Sequence, residues 1–256
     1  MLTDDLKYIS GILDCTEVEE AWNLHTGKMC EYGFDRMIYG ANNFYTRDIF
    51  DDHRNALVLV KHDADYVEPF FKQKWFRQAP MSVWAQNNTG TCSWRWALDR
   101  RARGLTTRKE NDILDFNERH GVRAGYSISF PARSARSKSA IGLCAQRGLS
   151  QDDVDRIWAE HGDRIVLLNN LMDQKMALLP FAPPDHRLTR RQREVLEWKA
   201  DGKTVLDIAQ IMGLARSTVE KHLRLARETL DAQTTEQAVL MASRENQFFM
   251  LDRNRS

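Results

Sequence analysis

Apolar residues recur along this chain with two periods, and the alternation between them outlines the elements. Behind the capping-box pair Thr16 and Glu19, residues Val18, Trp22, His25 and Met29 follow helical spacing until Gly33. Residues 37–41 and 56–61 read as strands, and the second, ALVLVK, is apolar enough to be expected at the centre of a sheet. Tyr66, Phe70 and then Gln73 or Lys74 predict a helix over 65–76. Thr107 and Glu110 predict the cap of a further helix that carries Ile113, Leu114 and Asn117 and stops at Gly121. Tyr126, Ile128 and Phe130 alternate with Ser127 and Ser129, the pattern of a half-buried strand. RSARSKS (133–139) reads as a solvated hairpin loop and AIGLCA (140–145) as its return strand. Ser150 opens a long amphipathic helix through Val154, Ile157, Trp158, His161, Ile165 and Leu168. Helices at both ends around antiparallel strands predict an α/β/α sandwich with a central antiparallel sheet.

Composition narrows the function. With 11 Phe, 7 Trp and 6 Tyr in 256 residues, the chain is too aromatic for long disorder. No apolar run reaches the roughly 18–20 residues of a spanning helix, and the acidic start MLTDDLKYIS lacks the positive charge of a signal peptide. A cytoplasmic protein with no membrane partner is expected. Cys15, Cys30, Cys92 and Cys144 form no CxxC pair and have no His cluster nearby, so reduced, mostly buried thiols are expected, with no metal site. The chain shows no nucleophile elbow, P-loop or dinucleotide fingerprint, so neither an enzyme nor a cofactor is expected.

Charge is balanced overall, 37 basic against 36 acidic residues, but not locally. Residues 187–231 hold ten basic and seven acidic side chains and a single aromatic, Trp198. Before them, Pro180, Pro183 and Pro184 disfavour helix, which predicts a linker over 174–187 between a domain at 1–173 and another at 188–256. In the basic part, Thr189 and Gln192 cap a first helix presenting Val195, Leu196 and Lys199. A second helix starts at Thr204, with Val205, Ile208, Ala209 and Met212 on one face, and Gly213 supplies a left-handed stop. Three residues later a third begins, with Val219, Leu223, Ala226 and Leu230 inward and Ser217, Glu220, Lys221, Arg224 and Arg227 outward. Two short helices around a Gly turn, the second polar and basic outside, describe a helix-turn-helix whose second helix fits a major groove. Glu220, Lys221 and Arg224 are then candidates for base edges, and Lys203, Thr204, Arg216, Ser217 and Thr218, at helix starts, for phosphates.

LTRRQREVLEWKADGKTVLDIAQIMGLARSTVEKHLRLARETL resembles the LuxR-type DNA-binding module over its whole length, at Leu188-Thr189, Arg191, Glu194-Val195-Leu196, Trp198, Ala200, Gly202-Lys203-Thr204, Ile208-Ala209, Thr218-Val219, His222 and Leu230. Sigma-factor region 4 shares the REVL segment, but the position of Gly202 and the TVxxH pattern favour the LuxR type. Departures are Gln192, often Glu in the family, and Ala215, commonly Ser. The resemblance implies a four-helix all-α domain that binds double-stranded DNA.

The region 62–125 resembles the autoinducer-binding domain that accompanies such modules. Pro80, Trp94 and Gly125 match its spacing, and Tyr66 and Phe70 stand where the family has Trp and Tyr. Ala79 stands where the family has an Asp that accepts the amide N–H of an N-acyl-homoserine lactone. The resemblance implies a ligand pocket at Tyr66, Phe70, Ala79 and Trp94, walled by Trp84 and by the strand residues Ile38, Gly40 and Val58. Asn42, Asn87, Asn88, Ser93, Ser127 and Ser129 are candidates to replace the missing Asp. The implied protein is a quorum-sensing regulator that takes a small apolar-tailed signal, binds a palindromic promoter site as a homodimer and meets RNA polymerase there. A ligand-independent regulator, or one sensing a signal other than a lactone, is the alternative that Ala79 leaves open.

Overall fold

The computed structural model describes residues 2–42, 56–134, 137–182 and 184–248. They form two compact units, one of residues 1–15 and 19–177, the other of Thr16–Val18 and Leu178–Ser256. The first unit carries a five-stranded antiparallel sheet in the order β2-β1-β5-β4-β3. Its strands are β1 (Phe34–Asn42), β2 (Ala56–Lys61), β3 (Gly90–Ser93), β4 (Gly125–Ser129) and β5 (Lys138–Ala145). Helices α1 (Leu2–Asp14), α2 (Val18–Cys30) and α7 (Gln151–Leu178) belong to one side of this sheet. Helices α3 (Ala64–Lys72), α4 (Pro80–Asn87), α5 (Arg95–Ala102) and α6 (Arg108–Arg119) belong to the other. This is the α/β/α sandwich expected from the alternating periods.

Aromatic residues fasten the sheet to α7. Tyr126 of β4 stacks on Trp158 at 3.8 Å between ring centroids, and Phe34 of β1 meets the same indole edge-on. Tyr39 of β1 donates its hydroxyl to Asp173 of α7 at 2.9 Å. Phe34 and Tyr39 are five residues apart, an odd spacing that a regular strand would send to opposite faces. The register shift between Phe34 and Arg36 inserts the extra residue that brings both toward α7.

His25 of α2 lies fully buried between Tyr8 of α1, whose hydroxyl meets Nδ1 at 2.7 Å, and Asn169 of α7, whose Oδ1 meets Nε2 at 3.1 Å. Burial holds this imidazole down at about 4, against 6.5 for a free histidine. Between those values the unfolded chain takes up a proton that the folded chain refuses, so stability falls as pH falls from 6.5 toward 4. The expected loss from His25 is about 1 kcal/mol by about pH 5.5. Urea midpoints at about pH 7.5 and 5.5 measure it, and identical midpoints would contradict it.

Several expectations change. ALVLVK is an edge strand among the described residues, paired with β1 only; Ala56 and Val58 line a cavity and Leu57 is buried without lining it, so apolar residues are needed here without a central place in the sheet. All five residues of β4 are buried, because helices cover one face and a walled cavity lies on the other. The helix expected over 65–76 ends at Lys72; Lys74 takes a left-handed φ of 55°, and Trp75–Arg77 continue as a 3-10 turn. The loop at 133–139 is partly strand, since β5 starts at Lys138, and Arg133 is tied to Asp173 at 2.5 Å; residues 135 and 136 lie outside the described set. Helix α7 runs on to Leu178, five residues into the segment expected as linker, because the first proline is Pro180. Of the four free thiols, Cys15 and Cys144 are buried and the other two half-buried.

The second unit holds α8 (Arg190–Ala200), α9 (Val205–Met212), α10 (Arg216–Thr229) and α11 (Thr235–Arg244). Thr189 with Gln192 and Thr204 with Asp207 form complete capping boxes for α8 and α9. Gly213 ends α9 at φ 63°, as its position predicts. Helix α10 starts from Ala215, which offers no side-chain cap. Val195, Leu196, Ile208, Val219, Ala226 and Leu230 close the core, joined by Ala238 and Ala242 of α11. The inward stripe of α10 is therefore held from two sides, which leaves its polar face outward.

Candidate functional site

Between the sheet and helices α3 to α6 lies a cavity of about 400 Å³. Ile38 and Gly40 of β1, Val58 of β2 and Ser127 of β4 line it from the sheet. Tyr66 and Phe70 of α3, Ala79 and Trp94 line it from the opposite side. Trp84 and Ser129, expected in the same wall, are not among the lining residues. The Ser129 hydroxyl is turned to the Ala85 and Asn88 carbonyl oxygens, both at 2.7 Å.

Hydrogen bonding sorts the candidate replacements for an acid at position 79. Asn87 and Asn88 donate their amides to carbonyls one turn back in α4, at Val83 and Trp84. Ser93 donates to Asp155 at 2.8 Å. Asn42 and Ser127 are the two candidates that reach the cavity.

Trp94 owes its place to a glycine. A Cβ on Gly125 would stand 2.2 Å from the Leu143 carbonyl oxygen and 3.0 Å from the Trp94 ring, so the indole lies directly over a bare backbone. Trp94 also donates its own backbone N–H to the Gly125 carbonyl at 3.0 Å. Its indole Nε1–H then reaches Ser127 Oγ at 3.0 Å.

The facing wall is an aromatic stack. Tyr66 lies between His62 at 4.1 Å, Phe70 at 5.3 Å and Phe116 at 5.3 Å. Its hydroxyl donates to Asn117 Oδ1 at 3.1 Å, so that proton is spent within the protein. Burial pushes the Tyr66 phenol above its usual range and the Cys144 thiol up to about 12, which keeps both protonated at neutral pH. Burial, with the Arg36 charge adding to it, holds His62 down at about 4, so its ring is neutral.

His62 and Asn117 line the cavity too, and sequence reasoning missed both as site residues. Asn117 carried a signal, a polar side chain on the buried stripe of α6 four residues from Ile113. His62 carried none beyond following an apolar strand.

In the second unit Lys203, Thr204, Arg216, Ser217, Glu220, Lys221 and Arg224 are exposed and Thr218 is half-buried. Thr204 is occupied as the α9 cap, its hydroxyl donating to Asp207 at 2.7 Å. Arg216 pairs with Glu220 at 3.0 Å and Arg224 with Glu228 at 2.5 Å. Exposed pairs one turn apart hold only about 0.3–0.5 kcal/mol, little enough for a phosphate or a base edge to displace them. Among the described residues no helix is long and apolar enough to cross a membrane, and no cluster of His, Cys, Asp and Glu is placed to hold a metal.

The chain matches two family models, the autoinducer binding domain over residues 17–176 and the luxR family of bacterial regulatory proteins over residues 186–242. It is 39% identical to the transcriptional activator protein BjaR1 of Bradyrhizobium diazoefficiens, over 93% of each chain. It is 40% identical to the transcriptional activator protein AnoR of Acinetobacter nosocomialis, over 91% of this chain and 94% of that one. In fold, its first part is similar to the solution structure of residues 1–171 of Escherichia coli SdiA, with a TM-score of 0.50 at 10% identity, covering 70% of this chain and 95% of the other.

Proposed function

The chain belongs to the LuxR-type transcription regulators that carry an autoinducer-binding domain, a family of regulators and not of enzymes, and we propose that its cavity takes an N-acyl-homoserine lactone or a related apolar-tailed signal. The observation that carries this reading is the cavity itself, about 400 Å³, largely apolar and aromatic, with a few polar groups set into its wall. In this reading residues 1–173 sense, 174–187 link and 188–256 bind DNA. The protein acts in the cytoplasm as a homodimer whose two α10 helices read half-sites about one helical turn apart on a palindromic promoter, beside RNA polymerase.

A signal that binds the folded sensor stabilises it, by about 2.7 kcal/mol at roughly a hundredfold excess over Kd. A thermal-shift series with lactones of short to long acyl chains tests this, and a melting midpoint unmoved by any lactone or bacterial extract defeats it. One observation favours a second reading, a regulator that needs no signal: Tyr66 and Trp94 already spend their donors on Asn117 and Ser127. Retardation of a promoter fragment that is equal with and without every signal would select that reading.

On DNA, Arg224→Ala is expected to weaken specific binding by about 1–3 kcal/mol and to relax base preference, since an arginine at mid-helix meets base edges. Lys203→Ala is expected to weaken all sequences about equally and to lower the salt slope by about one. Titrations on specific and scrambled duplexes at two ionic strengths separate the two. Equal loss on both duplexes for both variants would refute the base-edge role of Arg224.

A further inference from the structure

The sheet face under the cavity carries polar side chains toward two ends. Residues 138, 140, 142 and 144 of β5 alternate onto one side of the sheet. A Cβ on Gly142 would stand 3.9 Å from the Trp94 ring, and Cys144 packs with Tyr66 and Phe70, so this is the cavity side. Lys138 therefore projects to the same side, where it lines the cavity. Asn42 of β1 stands directly opposite Lys138 in the register and lines the cavity too. Ser127 pairs with Gly142, four residues along β5 from Lys138, which sets about 13 Å between the Trp94–Ser127 end and the Lys138–Asn42 end. Gly40 and Ala140, paired between the two ends, are small and leave room for an apolar chain.

Charge distinguishes the second end. With His62 neutral, four cations line the cavity among the described residues, against one carboxylate, Glu118. Arg36 is paired with Asp35 at 3.1 Å, Arg101 with Asp115, and Arg123 with Glu118 at 3.9 Å. The fourth cation, Lys138, has no carboxylate partner among the described residues. Its ammonium donates to the Asn88 carbonyl at 2.6 Å, which uses one of three N–H groups. Nor is that ammonium sealed in the wall: Lys138 is half-buried, and the bond to Asn88 lies open to solvent. Burial lowers its pKa from the ordinary lysine value, as happens to a cation that gives up water without gaining a counter-ion.

We infer that the cavity takes a signal with polar groups at both ends, its apolar chain ending in a carboxylate that pairs with Lys138. An acid placed there meets a cation and keeps part of its water, so it escapes most of the desolvation that a fully buried carboxylate suffers. The inference rests on the reading of this cavity as the signal site.

Two matched probe series on the full-length protein test it. One is the N-acyl-homoserine lactones with methyl-ended chains, from short to long; the other is the same lactones with a carboxylate in place of the terminal methyl group. At its best chain length, the acid is expected to bind about tenfold tighter than the methyl-ended lactone of equal length. Lys138→Met, which keeps an unbranched side chain without the charge, is expected to cancel that preference and to leave the Kd of the methyl-ended lactone nearly unchanged. Lys138→Arg is expected to keep the preference. Methyl-ended lactones that bind as tightly as their acids, or tighter, at every chain length overturn the inference. So does a preference for the acid that survives Lys138→Met. The comparison of the two series uses the unaltered protein and holds whether or not the variants fold. Binding of the methyl-ended series alone defeats this inference and leaves the signal-site reading standing, whereas binding of neither series defeats both.

Discussion

Gly125→Ala is expected to destabilise the sensor unit by about 3 kcal/mol or more, the cost of forcing a group into a filled core. The added methyl carbon would meet the Leu143 carbonyl oxygen at 2.2 Å, and backbone in the middle of a sheet has no rotamer by which to withdraw. It would also press on the Trp94 ring at 3.0 Å. The damage therefore reaches the cavity as well as the fold. Trp94 takes its position from the Gly125 carbonyl and passes it on to Ser127, so shifting the strand shifts both. Urea unfolding gives the stability loss. A variant within about 1 kcal/mol of the parent would show that the sheet yields where this geometry says it cannot.

Asp173→Ala is expected to cost about 3–5 kcal/mol, the penalty for removing one partner of a buried ion pair. Asp173 is 1% exposed and serves three elements. It accepts the Tyr39 hydroxyl from β1 at 2.9 Å and the Arg133 guanidinium from beyond β4 at 2.5 Å, while itself standing on α7. Alanine leaves the Tyr39 hydroxyl buried and unmatched, and the Arg133 charge, 23% exposed, without its counter-ion. Asp173→Asn keeps an acceptor for Tyr39 and should cost less than the alanine variant. Urea unfolding of both checks the order, and equal losses would place the whole effect on the charge.

Much of the candidate site was legible in the sequence, but for reasons of different strength. Spacing that resembles a family points to Trp94, Gly125, Tyr66 and Phe70, and all four lie together at the cavity or against it. Asn42 and Ser127, which reach the cavity, were two of six equal candidates. The choice among them follows from where each side chain finds a hydrogen-bond partner: Asn87, Asn88, Ser93 and Ser129 are spent within the protein. His62 escaped notice because a histidine after a strand looks the same in sequence whether its second nitrogen is matched or not.

Whatever depends on near neighbours is written in the chain. Caps at Thr107 and Thr189, the left-handed stop at Gly213 and the inward stripe of α10 are set within one or two helical turns, where local sterics and hydrogen bonds rule. Folding alone puts ALVLVK at the edge of the sheet formed by the described residues, gives the Tyr66 proton to Asn117 and buries His62 Nε2 with no partner. Those outcomes turn on which groups meet across 51 residues of chain in the Tyr66–Asn117 bond and 134 in the Tyr39–Asp173 bond. A buried polar atom takes its character from the partner it finds, and periodicity carries no record of a partner so far along the chain.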